Sequence, residues 1–260
     1  MTIPAIDDAG RAWDALDVEL ERRVAAGAVA TLWWRDDDAI TSSPALTRLR
    51  SLGPIPIVLA VIPQPATPDL ATALASWPLA TVVQHGFAHT DHAPVGAKRV
   101  ELGGGRSIET LRSELTRGRD RLLALFGDRF RPVLVPPWNR IDPGLIPALP
   151  SLGFRGLSTF GPRRLVGADD AAVLSEVNSD IDIMDWRKRC FAGAVPVLNA
   201  LVGRLGQSRQ PIGVLTHHLV HDDAAWRFLE RLVARLHPHP AVRWCDAATL
   251  FAPPAGGLAR

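Results

Sequence analysis

The stretch Ala28-Val29-Ala30-Thr31-Leu32-Trp33-Trp34-Arg35-Asp36-Asp37-Asp38 decides the fold, because an apolar run of strand length ends in three carboxylates. Such a run suits a strand covered on both faces, as in parallel sheets. It predicts a strand over 28–35 with the acidic residues just beyond its end. Upstream, Trp13, Leu16, Leu20 and Val24 recur at helical spacing, and Gly27 stands where a left-handed cap residue would end that helix. Downstream the alternation persists. Strand-like runs fall at 55–62, 80–85, 132–135, 154–158, 173–177, 212–216 and 242–245. Helix-like runs fall at 44–52, 68–77, 108–126, 143–152, 194–206, 223–236 and 246–251. Strands alternating with helices imply a mostly parallel sheet, a barrel or a doubly wound open sheet. So many strands in 260 residues fit a barrel. The stretch 93–106, with Gly103-Gly104-Gly105, reads as a surface loop. Neither a repeat nor a linker divides the chain, so one domain over 1–260 is expected.

Composition narrows the function. Net charge is +2, and Lys98 and Lys188 are the only lysines, which leaves no basic footprint for nucleic acid. No apolar run approaches the ~20 residues of a membrane span. Asp7, Asp8 and Asp14 stand where a signal peptide would be basic and then apolar. Cys190 and Cys245 lack metal or redox spacing and read as free thiols rather than a disulfide scaffold. The expectation is a cytoplasmic protein with no nucleic-acid or membrane partner.

Four polar groups fall at the C-terminal ends of expected strands: Asp36-Asp37-Asp38, His85 with His89, Pro136-Pro137-Trp138-Asn139, and His217-His218. In a parallel barrel that rim is where active sites are assembled. His85 and His89, four apart, are expected on one face of a helical turn, where both imidazoles can hold one metal ion. The plainer reading is a pair of surface histidines. Three adjacent carboxylates repel one another, and a divalent cation relieves the repulsion. Because strand side chains alternate, one carboxylate can bind metal while the next faces substrate as a base. A solvated acidic turn or a helix N-cap is the alternative. Two histidines and one carboxylate with open positions make a hydrolytic metal site, in which the ion acidifies a water and polarises a carbonyl. The acid for the leaving group would be His217, with His218 as its replacement.

In order as well as in kind, these motifs resemble the polysaccharide deacetylases of carbohydrate esterase family 4, the nodulation-protein-B homology domain. That family reads Asp-Asp, His-x-x-x-His, Arg-Pro-Pro-aromatic-Gly, Asp-Trp and Leu-x-His. Here the counterparts are Asp37-Asp38, His85 to His89, Pro136-Pro137-Trp138-Asn139, Asp182 to Asp185-Trp186, and Leu215-Thr216-His217, spread over about 28–220. The resemblance implies a distorted (β/α)7 barrel and one divalent metal, zinc first and cobalt or nickel as alternatives. It implies Asp37 as general base, Asp38, His85 and His89 as metal ligands, and His217 as general acid. Trp138 would lend its backbone N–H to the oxyanion, with Pro137, Arg35 and Asp182 beside the substrate. The implied activity removes an acyl group, acetyl first, from an N-acylated sugar or related amide.

Three departures qualify the match. Arg35-Asp36-Asp37-Asp38-Ala39 stands for the usual Thr-Phe-Asp-Asp-Gly, which leaves open a shift to Asp36 as base and Asp37 as ligand. Val135 replaces the Arg that in the family orients the catalytic Asp, and Arg35 or Arg140 is expected to take over. The missing export signal points toward a small N-acylated sugar, or a sugar-nucleotide or lipid-linked precursor, as substrate. Two other readings keep the same residues: a cyclic amide or ureide hydrolase, and a catalytically silent carbohydrate-binding relative. Trp33 and Trp34 are expected in the core on opposite faces of their strand. Of Asn178, Asp180 and Asp182, only Asp182 is expected at the site.

Overall fold

A computed structural model describes residues 8–163, 174–207 and 210–252. Helix α1 (Asp8–Ala25) buries Trp13, Leu16 and Leu20, and Gly27 ends it at φ 62°. Val24 shares their spacing but lies in the last turn and is exposed. Strand β1 (Ala30–Ala39) runs through all three aspartates, past the expected end at 35. The reason is pairing: neighbouring strands hydrogen-bond it as far as Asp36 on one side and Ala39 on the other, so the acidic run keeps its backbone partners.

The chain continues through α2 (Pro44–Ser51), β2 (Ile57–Val61), α3 (Pro68–Ala75), β3 (Ala80–His85), α4 (Ile108–Phe126), β4 (Phe130–Val135) and β5 (Gly156–Leu157). Then come β6 (Ser175–Glu176), β7 (Ile181–Asp182), β8 (Met184–Asp185), β9 (Cys190–Phe191), α5 (Ala194–Gln207) and β10 (Ile212–Thr216). The described part closes with α6 (Asp223–Leu236), β11 (Val242–Trp244) and α7 (Ala247–Leu250). Helices start where the sequence supplies caps: Ser43 accepts from Leu46 N–H, Ser107 from Thr110 N–H and Asp222 from Ala225 N–H. The expected helix at 143–152 is instead a 3₁₀ segment, Pro143–Ala148. Pro147 lies inside it and has no N–H to continue an α-helix. Val173, the first residue of the expected strand 173–177, lies outside the described residues.

All strands of the main sheet are parallel, in the order β6-β5-β4-β3-β2-β1-β10-β7, with β11 beside the start of β1. The stretch from Ser175 to Asp182 closes the ring. Its first residues pair with β5, and its last, Ile181 and Asp182, pair with β10. The fold is therefore a distorted (β/α)7 barrel, with β1 to β5, the β6–β7 run and β10 as staves. The distortion sits at β5, β6 and β7, each only two residues long.

Trp33 and Trp34 separate the two cores as alternation requires. Trp33 packs inside the barrel with Val58, Ala60, Val83, Val133, Val135 and Phe251. Trp34 faces outward into the layer between sheet and helices, with Leu49, Ile57 and Trp77. Burying such side chains fully contributes roughly 1.5–3 kcal/mol each. Phe251 stands edge-on to Trp33 at 6.3 Å and fills the space left by the missing side chain of Gly156. Cys190 and Cys245 are both free thiols. No helix among the described residues is long and apolar enough to cross a membrane.

Candidate metal centre

The inner face of β1 carries Trp33, then Arg35, then Asp37, so the guanidinium and carboxylate stand above the apolar filling of the barrel. Asp36 points the other way and is saturated there. Its Oδ2 accepts from the Thr216 hydroxyl at 2.6 Å and the His218 N–H at 3.0 Å, and its Oδ1 lies 2.5 Å from His218 Nδ1. Thr216 accepts in turn from Trp34 Nε1. Burial pushes the Asp36 carboxyl up, but the charge and hydrogen bond of His218 outweigh it and hold it below the usual carboxylate range. The alternative register, with Asp36 as base and Asp37 as ligand, is therefore not the geometry found. Nor is His218 free to replace His217, because it is buried and committed to Asp36.

Strict alternation would also send Asp38 outward with Asp36. It does not go, because Asp38 adopts φ 71° and the register with β2 shifts between Asp36 and Ala39. This irregularity turns its carboxylate onto the rim. There Asp38 Oδ1 lies 3.1 Å from His85 Nε2 and 3.3 Å from His89 Nε2. One ligand atom from each of the three residues lies within 4.8 Å of the others.

The histidines do not reach this position on a helical turn as expected. His85 is the last residue of β3, and residues 86–89 form an irregular turn with positive φ at Gly86 (56°) and His89 (57°). Gly86 suits this turn, since a Cβ there would meet Pro137 at 2.6 Å. His85 Nδ1 lies 2.9 Å from the carbonyl of Val135, which can only accept, so Nδ1 carries the proton and Nε2 presents a lone pair. Asp38 Oδ1 is buried and no donor reaches it. Electron-rich atoms thus converge on one point, an arrangement that a cation relieves. Burial raises the Asp38 carboxyl, but when these imidazoles carry an extra proton, His85 first and then His217 and His89, their positive charge brings it well below its ordinary range. Burial and the charge of His85 lower His89.

Asp37 stands beside this cluster and is gripped by Arg35. The fully buried guanidinium places Nε 2.9 Å from Asp37 Oδ1 and donates from Nη2 to Oδ2 at 3.1 Å. Its other donors reach Ser158 Oγ at 2.8 Å, the Thr159 carbonyl at 3.1 Å and Asn139 Oδ1 at 2.7 Å. Arg140, the other expected substitute, donates instead to the exposed Arg99 carbonyl. The position of the family's Arg, Val135, belongs to the apolar interior. Asn139, at the family's Gly position, adopts φ 57°, which Asn tolerates better than most residues.

On the far side, His217 Nε2 lies 3.9 Å from Asp37 Oδ2. Its ring stands edge-on to Trp186 at 4.4 Å, and Trp186 Nε1 donates to Asp182 Oδ2 at 2.7 Å. Asp182 also accepts from the Met184 N–H, and burial raises its carboxyl despite the charge of His217. Asp180 turns away to Arg204 and the Gly213 N–H, and Asn178 to Thr159 and Glu176. Pro137 is buried against the His85–His89 turn. Trp138, at φ 53°, sets its ring 4.4 Å from His89. Sequence reasoning missed Ser158 and Glu101. Ser158 carries no signal beyond a strand end. Glu101 is buried within the expected surface loop 93–106, and its only signal is a lone carboxylate between apolar Val100 and Leu102.

Fold and site together define a parallel (β/α)7 barrel with a carboxylate–imidazole cluster at the carboxyl ends of its strands. Solved carbohydrate deacetylases and esterases share this fold. A Mycobacterium smegmatis protein assigned as a polysaccharide deacetylase superposes with TM-score 0.62, 20% identity and coverage of 86% of this chain and 90% of that one. A peptidoglycan N-acetylglucosamine deacetylase gives TM-score 0.58 and 15% identity, with coverage of 86% and 88%. A family 4 acetyl xylan esterase from Clostridium thermocellum, solved with a cobalt ion, gives 0.55 and 13%, with coverage of 85% and 90%. No protein-family model and no curated protein matches the chain.

Proposed function

We propose that this chain, read as one polysaccharide-deacetylase-like domain, is a metal-dependent hydrolase that removes an acyl group, acetyl first, from an N-acylated sugar. The observation that carries the reading is the convergence of Asp38 Oδ1, His85 Nε2 and His89 Nε2 within 4.8 Å, beside an Asp37 held by a buried arginine. Two imidazoles and one carboxylate suit zinc, with cobalt or nickel next. A divalent ion bound there would supply Lewis-acid polarisation of the acyl carbonyl and acidify the attacking water. Asp37 takes a proton from the attacking water, and Arg35 keeps its carboxylate aimed. His217 delivers a proton to the leaving amine. The backbone N–H of Trp138 supports the developing oxyanion, an interaction worth about 3–4 kcal/mol in comparable sites. Asp182 anchors Trp186 against His217 and so fixes the direction of the acid. The substrate is a small N-acylated sugar, or a sugar-nucleotide or lipid-linked precursor, met in the cytoplasm.

A silent carbohydrate-binding relative is the weaker reading. Its motive is the loss of the usual arginine before Pro136, and Arg35 supplies a guanidinium to the same kind of carboxylate from within β1. The test is elemental analysis of the purified protein beside His89→Ala, followed by a hydrolysis screen of N-acetyl sugars and cyclic ureides. About one divalent ion per chain, lost in the variant, together with acetate release from sugars, is expected. Turnover of ureides alone would redirect the substrate. No ion in either protein after adding zinc, cobalt or nickel would refute the hydrolase.

A further inference from the structure

Glu101 is 1% exposed, and its carboxylate faces the backbone of the turn that carries His89. Oε2 accepts from the Phe87 N–H at 3.0 Å, and Oε1 accepts from the N–H groups of Ala88 at 2.7 Å and Thr90 at 3.4 Å. The turn has no helical ladder, so without Glu101 these buried donors would need other partners. Glu101 occupies the space that a side chain at residue 86 would need, since a Cβ on Gly86 would overlap its Oε2. The stretch bearing Glu101 is fixed in turn. Arg106 donates to the Glu101 carbonyl, Leu102 bridges to Ile141, and the Leu102 carbonyl accepts from the Asp142 N–H. Loop 93–106 therefore ties the His85–His89 turn to the segment following Trp138 and Asn139.

Resting on the metal-site reading above, we propose that Glu101 is a positioning residue for the metal centre. Its carboxylate clamps the turn through three amides, so that His89 Nε2 faces Asp38 before an ion arrives. The clamp performs two tasks. Charge-assisted hydrogen bonds fix the left-handed backbone at His89, and a buried negative charge next to the cluster favours a cation there. A carboxylate suits the first task better than an amide, because all three of its partners are donors and an amide nitrogen cannot accept from them.

The test compares wild type with Glu101→Gln and Glu101→Asp, using zinc competition against a chelating dye and the visible spectrum of the cobalt-loaded protein. The expected result is a folded Glu101→Gln, by circular dichroism, whose zinc affinity falls by about 10–100-fold, with altered cobalt bands. Glu101→Asp, which keeps the charge one methylene short, is expected to recover part of the affinity. A purely structural role would lower the melting temperature and leave zinc affinity and cobalt spectrum of the folded protein unchanged. Affinity within about two-fold of wild type in Glu101→Gln overturns the proposal. A wild type that binds neither ion overturns the metal reading itself, which is a different failure. One measurement needs no variant: amide hydrogen exchange on metal-free wild type. Protection of the Phe87 and Ala88 amides comparable to β3 is expected, and free exchange there overturns the clamp.

Discussion

Asp36 and Asp38 are two residues apart in one strand, yet their surroundings are opposites. Asp36 is the more deeply buried, and donors engage both of its oxygens: the Thr216 hydroxyl, the His218 amide and the His218 ring. Asp38 is partly open, but its Oδ1 is buried and is faced by the Nε2 lone pair of a neutral His85 and by the ring of His89. Burial therefore does not mark the carboxylate proposed as a ligand. What marks it is whether the groups around it give protons or offer electrons. A carboxylate met by donors is a structural charge, and one met by acceptors awaits a cation.

The largest expected effect would break this comparison if it fell on the wrong residue. Asp38→Ala should abolish stoichiometric zinc binding and reduce hydrolysis by about a thousand-fold or more, while leaving thermal stability near wild type. Asp36→Asn should do the reverse, keeping one ion per chain but losing on the order of 3 kcal/mol of stability, as expected for half of a buried ion pair. Elemental analysis and urea denaturation on both variants decide it. Metal loss in Asp36→Asn with retention in Asp38→Ala would invert the assignment.

A smaller effect sharpens the contrast on the inner face of β1. Arg35 is fully buried and shares its guanidinium among Asp37, Ser158, Thr159 and Asn139. Lysine offers a point charge and cannot span that fork. Arg35→Lys should keep the ion, since no ligand is touched, and lower kcat by about ten-fold with KM little changed. Loss of metal in this variant would mean that Arg35 supports the ligands rather than the base.

The barrel and the gathering of the candidate residues on one rim could be read from the sequence, because both follow from periodicity. Apolar strands alternating with helices place every strand end on one rim, and four polar groups fell there. Geometry that depends on departures from regular structure could not be read. Asp38 reaches His85 only because its φ is positive and β1 slips against β2, and alternation alone would have sent it outward with Asp36. His85 and His89 meet across a left-handed turn, although their spacing suggested a helical one. Glu101 lies in a Gly-rich loop whose path no local rule specifies. Arg35 was legible as a candidate only because a departure from the family pattern left a role to fill.

The smallest effect tests the same opposition between neighbouring histidines. Beside Asp36, burial lowers His218, but the carboxylate's charge and hydrogen bond outweigh it and raise its pKa. One 3₁₀ turn on, His221 has only acceptor work: its Nε2 accepts from the His217 N–H, and its ring stands edge-on to Trp226. Burial, with the charges of His217 and His218, lowers it to about 4, against the pull of Asp36 and Asp222. In the unfolded chain His221 takes a proton near the ordinary histidine value of 6.5. Between those values the unfolded state binds the extra proton, so stability rises with pH across the interval. The contribution is complete above about 6.5, is lost as pH falls to about 4, and amounts to about 3 kcal/mol. His221→Gln keeps an acceptor for the His217 N–H and removes the titration. Urea unfolding of both proteins from pH 7.5 to 4 should show a steeper loss in wild type, while the Asp36–His218 pair, common to both, cancels in the difference. Parallel curves would mean that His221 charges freely in the folded protein, and that only Asp36, not the burial of the segment, sets its two histidines apart.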